Sequence, residues 1–173
     1  PVKGDWDDTA MLEKRGMVYN SCTGPKDPEL IRQQQIGYYA CITHLDHQIG
    51  RIIQALIEHR LMDNTVILFT SDHGEMLSDH GWCRKSLPYN GSAHIPMFIS
   101  GPERYIGPRG RTDDSLVELR DVMPTLLELA GAKIPAHLDG RSMLHPLDRE
   151  YIHGEHTFGF NRWSSQFIVT KTD

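Results

Sequence analysis

Apolar residues recur at helical spacing between Glu29 and Arg60: Ile36, Tyr39, Ala40, Ile42, Leu45, Ile49, Ile52, Ile53, Leu56 and Ile57. Steps of three and four place them on one stripe, which predicts an amphipathic helix. Asp27-Pro28-Glu29 opens it. Asp can cap the first turn, Pro suits that turn, and Glu favours the positive helix end. After Asp63-Asn64 the pattern changes to the unbroken run Val66, Ile67, Leu68 and Phe69. A short run of this kind predicts a strand, Thr65–Thr70, covered on both faces. Ile95–Ser100 reads as a second strand, with Pro96 at its start or on an edge. Glu103–Asp114 holds Gly and Pro punctuation and three Arg, and reads as a loop.

Helical spacing returns over Ser115–Ala130, with Leu116, Leu119, Val122, Met123, Leu126, Leu127 and Leu129 apolar. Pro124 inside it marks either a kink or a first turn capped by Asp121, and Gly131 stops it. Ile134–Arg149 is a connection with a turn at Asp139-Gly140. Tyr151-Ile152-His153 and Phe167-Ile168-Val169 predict two strands, antiparallel across the Gly154–Ser165 loop. The order of elements predicts an α/β layer, with the long helix packed on the sheet beside the Thr65 strand.

At 173 residues the chain is long enough for one core, and its formal net charge is -5. That charge gives no reason to expect a nucleic-acid partner or a membrane surface. No apolar run has the length of a membrane span, and the start, PVKGDWDDTA, does not read as a signal peptide. Cys22, Cys41 and Cys83 form neither a zinc pattern nor a disulfide framework, so the compartment stays open. Residues 1–28 show no sustained period and read as an irregular segment. Asp7-Asp8 lies in it; no strand precedes the pair, which reads as a solvated acidic turn.

The candidate chemistry follows the Thr65 strand. Ser71, Asp72, His73 and Gly74 come directly after it, where open α/β sheets bind ligands. A carboxylate and a neighbouring imidazole can share one divalent cation. Gly74 lets the backbone turn sharply. Glu75, Asp79, His80, Arg84 and Lys85 continue the polar loop. On spacing alone, a solvated turn explains these residues as well as a metal site does. His44 and His47 share a face of the long helix and read as surface residues rather than ligands.

Three blocks carry a resemblance. The first is SDHGE with a second His-Gly, Lys85, Tyr89-Asn90 and His94-Ile95-Pro96; the second is Asp121 to Gly131; the third is Gly154-Glu155-His156 followed by Gln166 to Thr170. Together they resemble the carboxyl-terminal part of the sulfatase catalytic domain, in the alkaline phosphatase superfamily, over roughly Gly37 to Asp173. The resemblance implies a partial alkaline-phosphatase-like sandwich, with helices on a mostly parallel or mixed sheet. It implies that Asp72 and His73 are metal ligands, with Ca²⁺ expected and Mn²⁺ or Mg²⁺ as alternatives. Lys85 is then the cation that touches the sulfate and the leaving oxygen of a sulfate ester substrate. His94 aligns with an Arg or His of the family and would orient the loop.

The family's nucleophile is formylglycine, made in a Cys/Ser-x-Pro-x-Arg motif that does not occur in these 173 residues. Cys22 precedes Thr-Gly-Pro without the Arg. Residues 29–173 are therefore expected to be the carboxyl-terminal portion of a sulfuric ester hydrolase, without the nucleophile-bearing part and inactive alone. An exposed sheet edge would then favour self-association. Two alternatives stay open: a phosphonate monoester or phosphodiester hydrolase of the same superfamily, and a non-catalytic metal-binding or scaffold fragment.

Overall fold

A computed structural model describes residues 27–158 and 163–172. The segment read as irregular, with Asp7-Asp8 and Cys22, lies outside the described residues apart from Asp27 and Pro28. The architecture is mixed α/β. The chain divides into two compact units, Pro1–Met62 with Thr70–Met97, and Asp63–Phe69 with Phe98–Asp173.

Helix α1, Pro28–Glu58, begins as its sequence predicts: Asp27 Oδ1 accepts the Glu29 N–H at 2.9 Å, and Pro28 stands in the first turn. It ends without a glycine. Arg60 takes a left-handed φ of 57°. Its N–H donates to Ile57 O at 2.9 Å, and the Leu61 N–H donates to Leu56 O at 2.8 Å. This is the double hydrogen bond of a Schellman end, with Arg where Gly is usual. The apolar stripe is present, but no residue of α1 is buried. Ile36, Tyr39, Leu45 and Ile52 are all more than half exposed.

Strands β1, Ile67–Thr70, and β2, Met97–Ser100, form one two-stranded sheet. Phe69 and Phe98 stack at 4.8 Å, the aromatic pairing that favours neighbouring strands. β1 is half-buried along its whole length rather than covered on both faces. Among the described residues the sheet has no further strand to enclose it. Between these strands lies the short helix α2, Asn90–Ala93. The segment expected to be a loop contains a one-turn helix, α3, Glu103–Ile106. Gly107 ends it at φ 74°. Arg104 is tied to the Asp63 carbonyl and Tyr105 Oη donates to Asn64 Oδ1 at 2.8 Å.

The second long helical prediction shortens. Only Val122–Leu129 is α-helical (α4), preceded by a 3-10 turn at Leu119–Asp121. Residues 115–118 are not helical. Pro124 therefore sits in the first turn, where its missing N–H costs nothing. The Asp121 side chain is engaged by other donors: the N–H groups of Glu118 (3.0 Å) and Arg141 (2.8 Å) and both terminal nitrogens of Arg149. Asp121 is fully buried. Beside it, Thr125 Oγ1 donates to Asp121 O at 2.6 Å and accepts the Met143 N–H at 2.9 Å. Gly140 passes so near that a Cβ there would lie 1.8 Å from the Arg120 carbonyl oxygen.

Strands β3, Tyr151–Phe158, and β4, Trp163–Thr170, pair antiparallel, and the hairpin is longer than the two predicted runs. Gly154 faces Phe167, whose ring lies where a Cβ would stand.

Burial pushes the Asp121 carboxyl up, but the hydrogen bonds from Arg149, Arg141 and Glu118 outweigh it and hold it below the ordinary carboxylate range. A lowered folded-state pKa stabilises above the unfolded value, about 3.9, and that stabilisation is lost as pH falls through the folded value. Asp121→Ala takes from Arg149 its bidentate partner, leaving Glu118 at 3.6 Å, and should cost about 3 kcal/mol by denaturant titration at pH 7. The Asp121→Asn variant should lose less stability than the parent between about pH 4 and pH 2.

Candidate metal and sulfate site

Asp72 and His73 follow β1 after Ser71, in a stretch without regular structure that leads into Gly74. The Gly74 N–H donates to the Ser92 carbonyl at 2.8 Å. The two backbones are so close that a Cβ on Gly74 would lie 2.1 Å from the Gly91 oxygen. Only glycine allows this approach. Beyond it the chain forms a small hairpin. The Met76 N–H donates to Arg84 O at 2.8 Å and the Ser78 N–H to Trp82 O at 2.7 Å, around a 3-10 turn at Asp79–Gly81. Met76 is fully buried beneath it.

His73 has a defined tautomer. Its Nδ1 lies 2.8 Å from the Gly74 carbonyl oxygen. A carbonyl only accepts, so Nδ1 carries the hydrogen and Nε2 presents a lone pair. This second hydrogen bond is the kind that orients a metal-binding imidazole. Asp72 Oδ2 lies 3.4 Å from Nε2, while Asp72 Oδ1 accepts the His73 N–H at 3.0 Å. Lys85 reaches back across the hairpin and sets its Nζ 2.5 Å from the same Nε2. Three of the four residues expected in the site therefore converge at one nitrogen.

An oxygen and a nitrogen 3.4 Å apart have the separation of two donors on one divalent ion. The pair fits such an ion in donor type, tautomer and distance. Among the described residues no group of three or more His, Cys, Asp or Glu gathers around an ion. Asp72 and His73 thus furnish two donors of a set that Ca²⁺ would need to be six to eight strong.

His94 is not brought in. Its backbone closes α2 through an N–H to Asn90 O bond of 3.0 Å, and its exposed side chain makes no polar contact among the described residues. Two residues without an expected role are engaged instead. Glu75 Oε1 accepts the N–H groups of Arg84 and, at 3.3 Å, Leu77. Ser92 Oγ accepts those of Ser86 at 3.0 Å and Leu87 at 3.4 Å. Glu75 was signalled by its place after Asp-His-Gly; nothing in the sequence marks Ser92. A recess of about 330 Å³ lies alongside, lined by Met76, Asp79, His80, Tyr89, Asn90 and Gly91. In it the rings of His80 and Tyr89 stack at 3.9 Å.

A family model described as Sulfatase matches residues 6–132. The chain belongs to the sulfatase family. The match begins well before Gly37, where the block resemblance starts. The arylsulfatase of Clostridium perfringens is 43% identical over 180 residues, covering all of this chain and 37% of its own length. Arylsulfatase K of Xenopus laevis is 40% identical over 124 residues, or 72% of this chain and 23% of the relative. Among solved structures, the phosphonate monoester hydrolase of Silicibacter pomeroyi superposes with a TM-score of 0.73 at 30% identity. It covers 90% of this chain and 34% of that enzyme. This sulfatase-family chain therefore spans between 23% and 37% of the length of these relatives.

The Gly74–Gly91 crossing gives a direct test of the site's geometry. Gly74→Ala should destabilise by about 1–3 kcal/mol, since neither backbone can yield without repacking Met76. Thermal melts should show the loss, and Gly50→Ala in α1, with open space around its Cβ, should show none.

Proposed function

We propose that this chain supplies two metal ligands, Asp72 and His73, and the sulfate-contacting cation, Lys85, of a sulfuric ester hydrolase. The observation that carries the reading is the convergence of Asp72 Oδ2, His73 Nε2 and Lys85 Nζ within 3.4 Å of one another's shared nitrogen. A divalent ion, when bound, withdraws charge from the sulfuryl oxygens. The chain's own part is to orient and neutralise. Gly74 O fixes the tautomer that leaves Nε2 available. Asp72 supplies the anionic oxygen. Lys85, whose Nζ lies 2.5 Å from His73 Nε2, would supply an ammonium beside a sulfate oxygen in the loaded site. The developing charge on the leaving oxygen then meets a cation already in place.

The imidazole bears on which ion is held. Ca²⁺ prefers oxygen donors, whereas Mn²⁺ accepts an imidazole alongside carboxylates more readily. Mn²⁺ therefore stands beside Ca²⁺ as a candidate. The nucleophile in this reading is a formylglycine outside the 173 residues, and the substrate is a sulfate ester.

A second reading has its own support. The phosphonate monoester hydrolase of Silicibacter pomeroyi matches nine-tenths of this chain at 30% identity. A phosphonate monoester is also a tetrahedral anion, and the same three groups would serve it.

The test uses a sulfatase of full family length carrying this segment. Asp72→Ala should weaken binding of Ca²⁺ or Mn²⁺ in calorimetric titration by at least about tenfold, the loss of one charged donor. Lys85→Ala should lower kcat by about 10²–10³-fold towards 4-nitrophenyl sulfate. Unchanged metal affinity in Asp72→Ala would overturn the ligand assignment. Faster turnover of a phenylphosphonate monoester than of the sulfate ester would favour the second reading.

A further inference from the structure

Lys85 stands between two residues in backbone conformations that ordinary side chains avoid. Arg84 has φ 68° and Ser86 has φ 83°. Leu77, Ser78 and His80 on the same hairpin also have positive φ, at 47°, 72° and 52°. None is a glycine. Such positions persist only where surrounding contacts over-determine them, and they concentrate where a side chain must be aimed.

Beside the Met76 N–H to Arg84 O bond, side-chain acceptors hold Lys85's neighbours, one on each flank. Glu75 Oε1 takes the Arg84 N–H on one side. Ser92 Oγ takes the Ser86 and Leu87 N–H groups on the other. Glu75 is two residues from His73, and the Ser92 carbonyl holds Gly74. The same two residues therefore fasten both the imidazole's strand and the lysine's turn. Ser92 is 5% exposed, so its hydroxyl faces these amides rather than water.

We infer that Glu75 and Ser92 are positioning residues: they clamp the strained turn around Lys85 so that its ammonium is delivered to the His73–Asp72 pair. The inference rests on the proposed role of Lys85 at the leaving oxygen. Neither residue touches substrate. Without the clamp, Arg84 and Ser86 relax towards negative φ and Lys85 swings away from His73. An ångström of displacement at a charge-stabilising group costs about 100-fold in rate. The loss falls mainly on kcat and is steepest for esters with poor leaving groups, where most charge gathers on the departing oxygen.

Two measurements test the clamp. Amide hydrogen exchange on this chain reads the bonds themselves. Ser92→Ala should expose the Ser86 and Leu87 amides, and Glu75→Ala the Arg84 amide, while Glu75→Gln, which keeps the acceptor oxygen, should preserve protection. Unchanged exchange in both alanine variants overturns the inference at its geometric step. Kinetics in a family-length sulfatase carrying this segment reads the consequence. Glu75→Ala and Ser92→Ala should lower kcat for phenyl sulfate more than for 4-nitrophenyl sulfate, by about tenfold or more, with KM little changed and Glu75→Gln largely restored. Equal losses on both esters, or none, overturn the positioning role. Lys85→Ala in the same enzyme separates the two proposals. If it leaves kcat unchanged, the role of Lys85 fails; if it lowers kcat while the alanine variants lose protection without losing rate, the clamp alone fails.

Discussion

The crossing of Gly74 over Gly91 is the constraint on which the site depends. A Cβ on Gly74 would sit 2.1 Å from the Gly91 oxygen, and one on Gly91 would press on Met76 and Glu75 at 3.3 Å. The glycines bring cost in backbone entropy, about 0.5–1 kcal/mol each. In return the strand that carries Asp72 and His73 lies directly against the segment that carries Ser92. One residue, Ser92, then serves both: its carbonyl binds Gly74 and its hydroxyl binds the turn after Lys85. A side chain at either glycine would separate the segment of Asp72 and His73 from the segment that carries Ser92.

The second unit shows a different use of the same economy. Two of its most deeply buried groups are polar: Asp121 and Thr125 are fully enclosed, together with Pro124, and Leu147 is buried nearby in sequence. Asp121 collects two backbone N–H groups and the paired donors of Arg149, and Glu118 lies 3.6 Å from the same guanidinium. A buried ion pair contributes little net stability against an apolar alternative, because desolvation offsets attraction. What this one contributes is register. It joins the turn before α4 to Arg141 and Arg149, segments twenty and more residues later that have no regular structure of their own. Gly140 and Thr125 complete the join through close approach and a hydroxyl relay.

Much of this was legible in the residues, for physical reasons that differ by element. The start of α1 could be read because Asp27-Pro28-Glu29 encodes a cap; its end could not, because Arg60 occupies a position that glycine usually announces. Strands β1 and β2 were visible as apolar runs, but coverage of β1 depends on neighbours that periodicity does not report. The helix over Ser115–Ala130 was overextended because Leu116 and Leu119 fit its spacing, while the engagement of Asp121 by distant arginines cannot be seen in a local pattern. Within the site, the Asp-His-Gly string and Lys85 were readable from motif resemblance, and the structure brings them together. His94, read by the same resemblance, stands apart with an exposed side chain. Ser92 was invisible: a serine in a short helix carries no signal that its hydroxyl will meet two amides six and five residues back.

The three converging groups also set a limit on what this part of the molecule can select. Sulfate esters and phosphonate monoesters are both tetrahedral, both singly charged in neutral solution, and both place developing charge on a leaving oxygen. Under the proposed role, an ion held by Asp72 and His73, with Lys85 beside it, would answer charge and leave the ester's remaining group unread. Discrimination therefore belongs to surfaces that meet that remaining group. In this unit the recess beside the hairpin, with its His80–Tyr89 stack, takes Asp79 and His80 from the 3-10 turn at the hairpin's tip. His80 itself has a left-handed backbone. The wall takes residues from the hairpin's tip, while Lys85 stands on the turn Arg84–Ser86 at its base. Under the proposed role of Lys85, the shape of the wall and the placement of the cation are therefore separable by position on one hairpin.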